Sequence, residues 1–265
     1  MPVFARFRAL PDKDKAALVR KLVENGTPDF DYFYLIGLST LMATLGLLLD
    51  SGSIVIGSML IAPLMYPILG VALGLVMMHN NTGLLHRALN TLVKSLTVGL
   101  GLSILAAFFF GDETSYQTAE VLARTVPSHL HLLVAIVAGA AVAYMLARPE
   151  WNDALPGVAI AVALVPPLAT IGVGIASLSV AAVNSALIIK GAAMILLLNL
   201  FGIIAVAVVV FLLMNLSEKE SIAVSTVKRE EEKLESENKI IAEVAEKITV
   251  TREKSEIIRE DIKAE

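Results

Sequence analysis

Apolar residues fill this chain in long blocks instead of alternating with polar ones. Two blocks, 51–86 and 154–189, run for 36 positions each without a charged residue. About 20 apolar residues cross a bilayer as a helix, so the pattern predicts an all-α, polytopic membrane protein. Six transmembrane helices are expected: Tyr32–Leu49, Ser53–Met78, Thr91–Phe110, Leu130–Ala147, Leu155–Ser177 and Gly191–Met214. Residues 1–31 form a short amphipathic segment whose apolar positions are Phe4, Phe7, Leu10, Leu18 and Leu22, suited to a membrane surface. Residues 215–265 form a charged, helix-forming tail. Heptads counted from Val227 place Val227, Leu234, Ile241, Ile248, Ser255 and Ile262 at one core position, against a poorer Glu230, Glu237, Val244, Thr251 and Ile258. One apolar stripe results, fitting a short coiled coil in a homo-oligomer or a helix lying on the membrane domain.

Prolines interrupt the second and fifth spans near their centres. Pro63 and Pro67 cannot donate to the carbonyls of Met59 and Pro63; Pro166 and Pro167 cannot donate to those of Val162 and Ala163. In lipid such carbonyls need another partner, so both spans are expected to break there and to face protein, water or a solute. The two halves, about 32–110 and 130–214, also look related. Gly70-Val71 and Gly172-Val173 follow the prolines, and Ala88-Leu89 and Ala186-Leu187 precede a lysine in the next span. Three spans per unit would insert the second unit upside down, the 3+3 inverted repeat of many transporters.

Composition adds class and orientation. The chain is 56% hydrophobic with mean hydropathy +0.75, well above a soluble domain. Six Lys and Arg precede Tyr32 and ten follow Asn215. The loops on that side add Arg87, Lys94 and Arg148, and the opposite loops only Arg124 and Lys190. The positive-inside rule then puts both ends in the cytoplasm, and no cleavable leader is expected before the first span. Cysteine is absent, which excludes disulfides and thiolate metal sites. No acidic residue lies deep in a span, which argues against a carboxylate proton relay. No phosphate loop, metal-ligand cluster or nucleophile–base pair is visible. Catalysis, cofactors and nucleic-acid partners are therefore not expected, leaving membrane lipids and a small solute or ion.

The candidate solute site is Ser58, Ala62, Pro63, Pro67, Val165, Pro166, Pro167, Thr170 and Asn199. Ser58 and Thr170 stand about a turn from the prolines, although such hydroxyls also bond back to their own helix. Asn199 sits in the middle third of the sixth span, where burial demands a partner. Lys94 and Lys190 occupy corresponding places, as anion-attracting gates or as side chains reaching the headgroups. Gly70, Gly74, Gly99, Gly101, Gly172 and Gly174, with Ser39, Ala43 and Gly46, read as close-packing positions. His79, His86, His129, His131 and Trp151 fall at span edges, as interface residues.

Two motifs carry a resemblance. One is Ile56-Gly57-Ser58-Met59-Leu60-Ile61-Ala62-Pro63-Leu64-Met65-Tyr66-Pro67-Ile68-Leu69-Gly70-Val71-Ala72-Leu73-Gly74, and the other runs from Pro156 to Leu168. With both in this order, residues 30–215 resemble the conserved hydrophobic membrane proteins called domain of unknown function 389. The resemblance implies a membrane fold and no particular substrate. Members often carry a soluble domain beside the membrane part; here the segment before Tyr32 is short and the tail reads as simple helix. The function expected is a transporter or channel-like protein with its site at the broken helices. The alternative is a membrane scaffold or sensor acting through its C-terminal helix.

Overall fold

The computed structural model describes residues 11–26, 28–78, 82–146, 154–180, 182–237, 239–241 and 244. Ten helices account for most of them: α1 (Asp12–Glu24), α2 (Phe30–Leu48), α3 (Gly52–Met59), α4 (Met65–Val76), α5 (Gly83–Phe110), α6 (Ala119–Leu122), α7 (His129–Leu146), α8 (Ala154–Ala176), α9 (Ser185–Leu213) and α10 (220–237). No strand occurs among the described residues. Phe4, Phe7, Leu10, His79, Arg148, Trp151 and the heptad positions from Ile248 onward lie outside them.

Helix ends follow local chemistry. Asp29 caps α2 by accepting from the Tyr32 N–H at 2.7 Å, and Asn184 caps α9 by accepting from Leu187 at 3.2 Å. At the other end of α2, Ser51 N–H donates back to the Gly46 carbonyl and Asp50 N–H to that of Leu47. This Schellman turn needs a left-handed residue, and Asp50 takes it with φ 51°. The Asp50 carboxylate then accepts from the Glu120 N–H at 2.8 Å, tying α6 to the α2–α3 turn. Asn215, φ 54°, ends α9 in the same left-handed way.

Four helices, α2, α5, α7 and α9, are long and apolar enough to cross a membrane. Their exposed side chains include Phe108, Phe109, Phe110, Val137, Leu197 and Phe201, an apolar outer surface that suits lipid. Helix α5 starts at Gly83, eight residues before the expected Thr91, and takes Arg87 and Lys94 into its first turns.

The proline segments differ from each other, which corrects the expectation of two broken helices. The first is interrupted: α3 stops at Met59 and α4 begins at Met65. Pro63 lies between them, and Pro67 is the third residue of α4, where a helix has no use for the missing N–H. The second is not broken, since α8 runs from Ala154 to Ala176 with Pro166 and Pro167 inside it.

Helix α8 is the centre of the bundle. It packs on α2, α3, α5, α7 and α9, and its described side chains from Ile160 to Thr170 are all buried. Each half of the chain repeats one set of neighbours. Helix α2 touches α3 and α5, and α4 touches α5; α7 touches α8 and α9, and α8 touches α9. Across the halves, α5 lies on α8 and α9 lies on α4.

One end of the bundle gathers the terminal segments. The apolar face of α1 (Leu18, Val19, Leu22, Val23) is buried there against α4 and the turn Leu216–Lys219, not spread on a surface of its own. Ion pairs Lys219–Asp12 (3.2 Å), Arg87–Glu231 (2.8 Å) and Arg229–Glu24 clasp the C-terminal segment to α1 and α5. The opposite end holds the turn at Asp50, the segment 111–128 and residues 177–180 and 182–184. Exposed pairs contribute about 0–1 kcal/mol each, so the clasp is expected to be salt-sensitive. Charge reversal at both Arg87 and Arg229 should raise amide exchange across residues 220–237 while leaving α8 unchanged. Unaltered exchange in α10 would show that apolar contacts alone hold it.

Candidate functional site

The two proline segments are joined to the surrounding helices by buried side chains that bond to backbone carbonyls. The α3 end comes first. Ser58 is buried and donates its hydroxyl to the Val55 carbonyl at 2.6 Å. Its own carbonyl accepts from the Ser39 hydroxyl of α2 at 2.8 Å and from the Ile61 N–H at 3.2 Å. Ala62 is buried, Pro63 half-buried and Pro67 buried, so the interruption lies inside the protein while Leu60 alone is strongly exposed.

On α8 the chemistry is sharper. An α-helix bonds the N–H of each residue to the carbonyl four before it, so Pro167 leaves the Ala163 carbonyl without its helical donor. The Asn199 side chain of α9 supplies one: its Nδ2 donates to the Ala163 oxygen at 2.7 Å. Asn199 is 6% exposed, and its Oδ1 has no hydrogen-bond partner among the described residues. Further along α8, the Ser103 hydroxyl of α5 donates to the Ala169 carbonyl at 2.9 Å and accepts from the Thr44 hydroxyl at 2.8 Å. Thr170 takes the back-bonding option, donating to the Pro166 carbonyl at 2.9 Å. Val165, Pro166 and Pro167 are buried.

The structure therefore brings Asn199 to the α8 prolines and Ser39 to the α3 end. Lys94 and Lys190 stand on exposed surfaces of α5 and α9, away from these carbonyls. Sequence reasoning passed over Ser103 and Thr44, and weighed Ser39 only as a small residue. The signal was present: α2 carries Ser39, Thr40 and Thr44, and α5 carries Thr91, Ser95 and Ser103, all buried and on single helix faces. The seam continues toward the terminal end through Tyr32, whose hydroxyl pairs with that of Ser95 at 2.8 Å.

Glycines set the distances. A Cβ at Gly172 would lie 2.2 Å from the Ser103 Oγ and 3.0 Å from the Ser103 carbonyl carbon, and one at Gly99 would lie 2.8 Å from Thr40. These residues let α2, α5 and α8 approach closely enough for the hydroxyl bonds, the packing reading given to them.

A cleft of about 750 Å³ opens elsewhere, at the loop end, lined by Leu45, Leu49, Asp50, Phe110, Asp112 and Thr118 among others. Its carboxylates are committed to structure. Asp50 holds α6, and Asp112 accepts from the Ser115 N–H and the Thr114 hydroxyl, both at 2.8 Å. Those bonds, the backbone N–H foremost, hold the Asp112 carboxyl below its ordinary value. The described residues include no group of three or more side chains suited to a metal.

The family model for the domain of unknown function 389 matches residues 59–231, from the end of α3 into α10. The chain belongs to this family. It is also 30% identical over 174 residues to an uncharacterised protein of Methanocaldococcus jannaschii, a match covering 66% of this chain and 51% of that protein. The chain thus aligns with about half the length of this relative. No solved structure matches.

If Gly172 is a contact residue, Gly172→Ala must push α5 from α8 and should destabilise the protein by about 1–3 kcal/mol. Gly101→Ala is the control, because a Cβ there meets nothing within 4 Å; it should be neutral or slightly stabilising. Thermal unfolding in detergent checks both, and equal effects would contradict the packing role. At Asp112 the folded carboxyl is the stronger acid, so its turn is supported above the ordinary value and loses that support as pH falls through the lowered one. The Ser115 amide resonance should report a midpoint below 3.8, and a midpoint at or above it would contradict the bond.

Proposed function

We propose that this protein is a six-span membrane transporter, passing a small solute past the interruption between α3 and α4 and the proline segment of α8. The α3–α4 pair and α8 would complete the six crossings, with both termini in the cytoplasm and the halves related as an inverted repeat. The observation that carries the reading is the buried polar chemistry at the proline segments. A helix interrupted inside the protein and a proline-stripped carbonyl met by a buried amide are features that transporters concentrate near the midplane. The reciprocal packing supports the repeat, since each half lays its third span on the other half's proline segment. The orientation is supported by both terminal segments lying at one end of the bundle, where the positive charge gathers.

Two unlike proline segments fit a device that alternates. The first is open in its backbone and the second closed by borrowed bonds, so exchange of the two arrangements would move access from one side to the other. Such a switch needs two discrete packings, not a gradual deformation.

The test is flux in liposomes together with cysteine replacement across residues 60–64 and 163–170. Transport predicts that solute flux falls in the Pro63→Ala/Pro166→Ala variant and that both segments react with hydrophilic thiol reagents from opposite sides. Inert cysteines and no flux from a folded, inserted protein would contradict it, and would favour the scaffold or sensor acting through α10.

A further inference from the structure

We infer that the solute accepted beside Asn199 is a small molecule presenting hydrogen-bond donors, cationic or neutral, and not an anion. This deepens the transport reading and rests on it. The juxtaposition that points to it is a buried, unpartnered amide oxygen held beside the Ala163 carbonyl, which Pro167 has stripped of its helical donor.

An asparagine amide carries two N–H donors and one acceptor oxygen with two lone pairs. At Asn199 one N–H is committed to the Ala163 carbonyl. The oxygen, on a residue 6% exposed, is unpartnered among the described residues. Leaving such an acceptor unpaired disfavours the fold, and capping the carbonyl does not require it. A hydroxyl can cap a carbonyl with its single donor, as Ser39 and Ser103 do. The difference is that the Ser103 oxygen is itself partnered, accepting from Thr44, whereas the Asn199 oxygen is not.

The surroundings select for donors. Pro166 has no N–H for the Val162 carbonyl, the sequence neighbour of the Ala163 carbonyl that Asn199 meets. The one charged residue buried among the described residues is Lys15, which lies on α1 at the terminal end. Lys94 and Lys190 are exposed on the outside of their helices. An anion entering here would face the Asn199 oxygen with no buried positive charge beside it among the described residues. A divalent metal would find no carboxylate, the ligand type such hard ions use. A molecule with N–H or O–H groups finds acceptors, and a monovalent cation finds neutral oxygens.

Three planar probes of nearly equal size separate these cases: guanidinium, urea and nitrate, which are cation, neutral donor and anion. Each is measured at millimolar concentration in liposomes holding the full chain, with Asn199→Asp and Asn199→Leu beside it. The expected result is flux of guanidinium and urea well above that of nitrate. Asn199→Leu should lower both by about tenfold, the weight of one lost hydrogen bond. Because that variant may fail to fold, the deciding quantity is a ratio within one sample: Asn199→Asp adds a negative charge and should raise guanidinium over urea by about tenfold. Nitrate passing faster than the donors, or an unchanged ratio in Asn199→Asp, would overturn the inference while leaving transport standing. No flux of any probe or of potassium or chloride would overturn the transport reading and this inference with it.

Discussion

Everything in this bundle is arranged around one helix that lacks some of its own donors. Helix α8 is enclosed on every side by other helices, where a carbonyl cannot turn to water, and Pro167 deprives Ala163 of the N–H it would ordinarily receive. An unpaired buried carbonyl costs about 1–3 kcal/mol, enough to favour bending or unwinding. The Asn199 amide removes that penalty from 36 residues away in sequence and keeps the helix whole. Because α8 stays whole, the helices around it can pack against one continuous helix, and Gly99 and Gly172 can hold α2, α5 and α8 at close range.

The other proline segment meets the same chemistry differently. Pro63 lies where no helix runs, Pro67 falls in the first turn of α4, and the Ser58 carbonyl takes a donor from Ser39. One segment is thus opened and the other repaired. In both, carbonyls take donors from polar side chains on neighbouring helices, which makes α2, α5 and α9 partners in the backbone chemistry and not only a hydrophobic casing. A change at any of these side chains therefore acts on a proline segment directly.

Much of this architecture was legible in the chain. The apolar blocks locate α2, α5, α7 and α9, and the spacing of Pro63 and Pro67 foretells the interruption after Met59. Asn199 reads from the sequence as an amide whose burial demands a partner, and it is buried and bonded to Ala163. The continuity of α8 was not legible, because counting lost donors along one helix omits a donor arriving from another. Ser103 and Thr44 were passed over for a related reason. A hydroxyl in an apolar run looks like one that bonds its own helix, and only close approach at Gly172 turns Ser103 toward Ala169. The early start of α5 was hidden by Arg87, whose charge is accommodated by Glu231 on the C-terminal segment. That segment lies far along the chain, beyond the reach of a local hydropathy pattern.

The most direct test of the central claim is a double-mutant cycle between Asn199 and Pro167, read as unfolding free energy in detergent. Pro167→Ala restores the N–H that the Ala163 carbonyl lacks. If Asn199 is there to replace that donor, Asn199→Leu should cost about 1–3 kcal/mol in the natural protein and much less in the Pro167→Ala background. Equal costs in the two backgrounds would show that Asn199 and the proline act independently, and would contradict the account.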